Sequence, residues 1–125
     1  MSVSEKLFEF SKSKVGNLIV GLAFGKLARL LPVKRVRETD KVLAFWHPKP
    51  FWEQHILIVP RKPIRSLISV DKSDLEYVDE VFLVAKEIIK ELGWQNDEYS
   101  LSVNGGKRQK VKQLHFHLSK GDLRK

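Results

Sequence analysis

The chain has 125 residues, 42% hydrophobic and 30% charged, which suits one soluble globular domain with a single core and is too short for two. It has no cysteine, which excludes disulfides, zinc–thiolate sites and cysteine nucleophiles, and a reducing, cytoplasmic setting fits best. The formal net charge is +8, and residues 1–39 carry eight basic side chains against Glu5, Glu9 and Glu38, a net of +5.

That basic excess could draw nucleic acid, an anionic membrane surface or a phosphorylated ligand, or it could form a solvated face that aids solubility. Val15 to Gly25 is a run of eleven uncharged residues. A bilayer crossing needs about 20, and no small-residue cleavage site precedes Lys34, so the run reads as neither span nor secretory signal. The Gly21-xxx-Gly25 spacing carries little weight outside a membrane helix. Residues 15–31 read as a helix ended by Pro32, with apolar residues all round, so it packs on more than one side.

Leu43 to Trp46 reads as a strand, followed by the breakers Pro48-Lys49-Pro50. His55-Ile-Leu-Ile-Val59, closed by Pro60, reads as a buried strand. Asp74 to Leu92 reads as the longest helix. Ser73 and Glu76 are expected to form its capping box and Gly93 its stop. Its expected apolar face is Leu75, Val78, Phe82, Ala85, Ile89 and Leu92. Tyr99 to Val103 then reads as a strand, Asn104-Gly105-Gly106 as a turn, and Val111 to Leu118 as the last strand. These elements define an α+β domain around an antiparallel sheet.

All four histidines, His47, His55, His115 and His117, fall in the strand-rich part. On a regular strand Gln113, His115 and His117 would share one polar face, while Leu114, Phe116 and Leu118 point into the core. His55 could lie across the sheet from them. Such a set could hold zinc, supply a nucleophilic imidazole, or consist of ordinary surface histidines. Two features favour phosphate over metal. The glycine turn frees backbone N–H groups beside Lys107, Arg108 and Lys110, and no acidic residue occurs between Tyr99 and Gly121.

Asn104-Gly-Gly-…-Gln109-x-Val111-x-Gln113-Leu-His115-Phe-His117-Leu resembles the signature of the histidine-triad (HIT) family, Asn-x-Gly-…-Gln-x-Val-x-His-x-His-x-His. Val42 to Pro50 and His55 to Lys62 resemble the strands before the family's helix, and Phe24-Gly-Lys-Leu with Pro32 resembles its entry helix. The resemblance runs from Phe24 to Leu118, and its nearest branch is the Hint-like nucleoside phosphoramidases. It divides the chain into an N-terminal extension, residues 1–23, and a HIT-like domain, residues 24–125.

The resemblance implies an antiparallel sheet of about five strands with one long helix and a shorter N-terminal helix. It also implies a homodimer with a continuous sheet, and a hydrolase that needs no metal or cofactor. In that reading His115 attacks the α-phosphorus of a nucleotide substrate and His117 bonds phosphate or leaving-group oxygens. His55 supports the triad, with Gln113 hydrogen-bonded to it. Asn104, Gln109 and the backbone near Lys110 hold phosphate, while Phe24, Leu27, Phe45 and Trp46 line the base pocket. Two positions depart from the family pattern: Gln113 stands where the first triad histidine belongs, and His47 stands at the ribose-binding acid. The Asn104–Gln109 loop is also about two residues shorter than the family's. Loss of the first histidine leaves a nucleotide-binding protein with weakened catalysis as the alternative.

Overall fold

A computed structural model describes residues 15–21 and 33–125. Residues 15–21 form a helical segment, α1. The remainder of the expected N-terminal helix, with Phe24, Leu27 and Pro32, lies outside the described residues, as do residues 1–14. Then follow β1 (Arg35–Glu38), β2 (Val42–Trp46), β3 (Trp52–Pro60), α2 (Leu75–Glu91), β4 (Ser100–Val103) and β5 (Phe116–Leu123). The five strands make one sheet in the order β1-β2-β3-β5-β4, with every neighbouring pair antiparallel.

The chain's period-two alternation decides what each face of this sheet meets. Val42, Ala44, Ile56, Ile58, Phe116 and Leu118 face α2, where Val81, Val84, Ala85 and Ile88 close the larger core with Ile64, Trp94 and Leu114. Leu43, Phe45, Leu57 and Val59 face the other way and pack with Ile19 of α1. β3 is central and buried on both faces, which explains its unbroken Ile56-Leu57-Ile58-Val59 run.

Four local expectations are corrected. Arg35-Val36-Arg37-Glu38, with one apolar side chain, carries no strand pattern of its own and yet forms β1. Its strand character comes from pairing with β2 at the sheet edge. α2 is capped upstream of Ser73 and Glu76. A 3-10 turn at Lys72–Asp74 leads into the helix, and the reciprocal box is Asp71 with Asp74. The face of α2 that meets the sheet is Val81, Val84, Ala85 and Ile88, rotated from the expected stripe. Leu75, Phe82 and Leu92 are exposed, and Val78 and Ile89 are half-buried flankers. The last strand begins at Phe116 and not Val111, and runs on to Leu123.

The helix stop is as read. Gly93 has φ +72, Gly93 N–H donates to Lys90 O, and Trp94 N–H donates to Ile89 O, a Schellman closure. Among the described residues, no helix is long and apolar enough to cross a membrane.

Candidate active site

The site forms on the sheet face opposite α2, and strand register assembles it. Leu57 of β3 pairs with His117 of β5, so their side chains share a face, and His55, two residues before Leu57, lies on that face too. The β2–β3 pairing continues one step past Trp46, where His47 N–H donates to His55 O and brings His47 alongside. The ring centroids of His47 and His55 are 4.5 Å apart, those of His55 and His117 5.1 Å, and those of His115 and His117 5.2 Å. All four histidines, scattered over 71 positions of sequence from His47 to His117, thus form one cluster.

Hydrogen bonds set the tautomers along this cluster. Phe51 N–H donates to His55 Nδ1 (3.1 Å), so the neutral His55 ring carries its proton on Nε2. His55 Nε2 lies 2.8 Å from His117 Nδ1 and therefore donates to it, which puts the His117 proton on Nε2. That buried His117 Nε2–H has no hydrogen-bond partner. His115 Nδ1 donates to the Gln113 carbonyl at 2.6 Å, leaving the lone pair on His115 Nε2. His47 Nδ1 accepts from Lys49 N–H (2.9 Å), so its Nε2 is also a donor.

The rings are neutral because they are buried together. Burial and the neighbouring His115 lower His47 to about 4. Burial, His47 and His117 lower His55 to about 3. Burial, His115 and His47 lower His117 to about 4. His115 is also lowered by burial, against an opposing pull from its bond to Gln113.

The cluster opens onto a pocket of about 370 Å³. Its apolar wall is Val15 and Ile19 of α1 with Leu57 and Val111. His47, Phe51, His115 and His117 supply rings, and Lys49, Asn104, Arg108 and Lys110 form a polar rim. Among the described residues, no group of three or more His, Cys, Asp or Glu is arranged to hold a metal ion.

Of the residues singled out from sequence, His47, His115, His117, Asn104, Arg108 and Lys110 line the pocket, and His55 lies behind His117. The others are placed elsewhere. Gln113 does not bond His55. Its carboxamide is buried and serves the chain at residues 60–64, accepting from Ile64 N–H (3.1 Å) and donating to Lys62 O (3.0 Å). The reason is that residues 113–115 precede β5, so the strand alternation that would aim Gln113 at the cluster does not reach it.

Gln109 is buried outside the lining, with its amide donating to Arg65 O (2.6 Å) and Val111 O (2.9 Å). Phe45 is fully buried beneath the site among Leu43, Leu57 and Val59, and Trp46 packs on the α2 side. Phe24 and Leu27 lie outside the described residues. The lining also includes Lys49, Phe51, Val15 and Ile19, to which sequence reading gives no role at the site. The available signal was the Pro48-Lys49-Pro50 turn between β2 and β3.

The fold agrees with what is found among known proteins. The HIT domain family matches residues 29–122. An uncharacterised HIT-like protein of Synechocystis is 34% identical over 101 residues, covering 78% of this chain and 88% of its own length. A histidine-triad protein of known structure from Clostridium difficile superposes with a TM-score of 0.72 at 34% identity, covering 82% of this chain and 91% of that one. A HIT family hydrolase from Legionella pneumophila gives 0.71 at 28% identity, over 78% of this chain and 88% of that one. A histidine-triad nucleotide-binding protein from Candida albicans gives 0.67 at 28%, over 79% and 74% respectively. This chain, an open five-stranded sheet with a histidine cluster on the face away from its long helix, belongs to the histidine-triad family.

Proposed function

We propose that the protein is a nucleotide hydrolase or nucleotidyl transferase that acts at the α-phosphate of a nucleoside phosphoramidate or related nucleotide. The observation that carries this is the His115 Nδ1 bond to the Gln113 carbonyl, which directs a lone pair, not a proton, to Nε2 in a pocket lined by donors. His115 Nε2 forms the new P–N bond as the P–N bond to the leaving amine breaks, and the amine takes a proton from solvent. Water then attacks phosphorus and releases a proton to solvent, the P–N bond to His115 breaks, and the bonding pair returns to Nε2. His117 Nε2–H donates to a phosphoryl oxygen throughout, and the proton held by His55 keeps it facing that way.

Turnover of adenosine 5′-phosphoramidate tests this. His115→Ala is expected to lose roughly 10³-fold or more in kcat/KM, with an unchanged circular dichroism spectrum. Wild type and variant reacting equally slowly across a phosphoramidate panel would refute it.

The commitment of Gln113 to backbone groups favours one further reading, a nucleotide-binding protein with weak turnover, because no titratable group stands at that position. Calorimetric nucleotide binding without turnover, unchanged in Gln113→His, would support that reading.

We also propose a homodimer. Among the described residues no strand pairs with the outer edge of β4, and Phe82 of α2 lies exposed, its ring 6.3 Å from Phe116 of β5. A second copy would cover both. A cytoplasmic setting agrees with the cysteine-free composition. Membrane or nucleic-acid contact through the basic N-terminal segment stays with residues mostly outside those described. Of its described cations, Arg35 pairs with Glu38 and Arg37 with Glu91.

A further inference from the structure

β2 and β3 are joined by residues 47–51, His47-Pro48-Lys49-Pro50-Phe51. Two prolines leave this connection only three backbone N–H groups, and every one of them serves His47 or His55. His47 N–H donates to His55 O, Lys49 N–H to His47 Nδ1 at 2.9 Å, and Phe51 N–H to His55 Nδ1 at 3.1 Å. Pro48 and Pro50 also restrict φ, which stiffens the turn that carries these donors.

Burial and the neighbouring histidines lower His47 to about 4 and His55 to about 3, so near pH 7 each ring holds a single proton. The turn decides which nitrogen bears it. A proton on His55 Nδ1 would face the Phe51 N–H, donor against donor. The His55 Nε2 lone pair would then face His117 Nδ1, 2.8 Å away, and draw the His117 proton onto that atom. His117 Nε2, buried and without a hydrogen-bond partner, would become an acceptor where a phosphoryl oxygen needs a donor. His47 obeys the same rule one step closer. With its Nδ1 taken, it lines the pocket as an Nε2–H donor, stacked on His117 with centroids 6.4 Å apart and planes at 25°.

We infer that the Pro48–Phe51 turn is a positioning element of the site. Its Lys49 and Phe51 N–H groups fix His47 and His55 as Nε2–H tautomers, so that His47 and His117 present donors to the substrate and His115 presents the acceptor. The Phe51 N–H reaches His117 through His55. Its effect on turnover rests on the nucleotide reading above, whereas the tautomers do not.

Ring-nitrogen NMR of the full chain at pH 7 tests this by reading which nitrogen of each histidine is protonated. Scalar couplings across the hydrogen bonds report whether the Lys49 and Phe51 amides are joined to the Nδ1 atoms. Wild type is expected to show Nε2–H at His47, His55 and His117 and Nδ1–H at His115, with both couplings present. Lys49→Ala and Phe51→Ala, which keep their N–H groups, are expected to keep that ring pattern. Phe51→Pro should mix the tautomers of His55 and His117. It should also lower kcat for adenosine 5′-phosphoramidate at least about tenfold below that of Phe51→Ala, with KM changed less. Lys49→Pro should release His47 alone. Nδ1–H at His47 or His55 in wild type, or a missing coupling, would overturn the inference whether or not any variant folds. So would a Phe51→Pro protein with the wild-type ring pattern or with the kcat of Phe51→Ala. The expected rings in a wild type without turnover would overturn the hydrolase reading and leave the assignment of the turn standing.

Discussion

At the scale of single residues, Gln113 does two jobs with separate atoms. Its backbone carbonyl orients His115 at 2.6 Å, and its buried side chain ties the chain before β5 to the segment after β3. Gln113→Ala leaves Ile64 N–H and Lys62 O without partners in a dry site. It is expected to cost about 1–3 kcal/mol of stability, read as a lower urea midpoint at an unchanged m-value. Because the carbonyl is still present, residual activity should exceed that of His115→Ala. A stability equal to wild type would show that the carboxamide is dispensable. His115 and His117 were legible from their i, i+2 spacing. The destination of Gln113 was not, because it depends on where β5 begins. Lys49 and Phe51 were passed over because a Pro-Lys-Pro turn names a bend without saying what lies beneath it.

At the scale of elements, α2 has more apolar surface than the sheet covers. Val81, Val84, Ala85 and Ile88 are buried, whereas Phe82 and Leu83 are more than half exposed. Ile88→Ala empties a fully buried site and is expected to cost about 2–5 kcal/mol by denaturant titration. Phe82→Arg should cost about 0.5–1.5 kcal/mol of subunit stability through its lost edge contact with Phe116, and shift sedimentation from dimer to monomer, since the ring is otherwise more than half exposed. A stable dimer in that variant would move the interface off this flank. A second element-level feature is the irregular register of β3 at Trp52–Gln54 opposite β5. There Gly121 has φ +89, and a Cβ would stand 2.8 Å from Glu53 Oε2 and 2.9 Å from Glu53 Cβ. Gly121→Ala is therefore expected to destabilise by about 1–3 kcal/mol, and an unchanged melting temperature would argue that this bend relaxes freely.

At the scale of the whole molecule, the histidine cluster links stability to pH. His47 and His117 are lowered to about 4 and His55 to about 3, against 6.5 when unfolded. Between those values the unfolded chain binds protons that the folded one refuses, so acid favours unfolding. Stability should be full above about pH 6.5 and fall progressively toward pH 4. Asp74, lowered by its hydrogen bond to Lys62, and Asp97, lowered by Lys120, lose their contribution only further down, below the ordinary carboxylate range. Urea midpoints at several pH values from 7 to 4.5 check this, and a flat profile would show that the rings titrate normally.

Sequence alone determined the types of β2 to β5 and α2, the unbroken apolar run that makes β3 a two-sided core strand, the Gly93 helix stop and the His-x-His pair, because each depends on residues close along the chain. Only the tertiary structure decided the rest. β1 is a strand because β2 offers it an edge, and the buried face of α2 is set by the sheet beneath it. His47 and His55 join His117 through the register of three strands. Lys49, Arg108 and Lys110 meet at one pocket because two loops distant in sequence end on the same sheet face. These are long-range outcomes of pairing and burial, which no local pattern encodes.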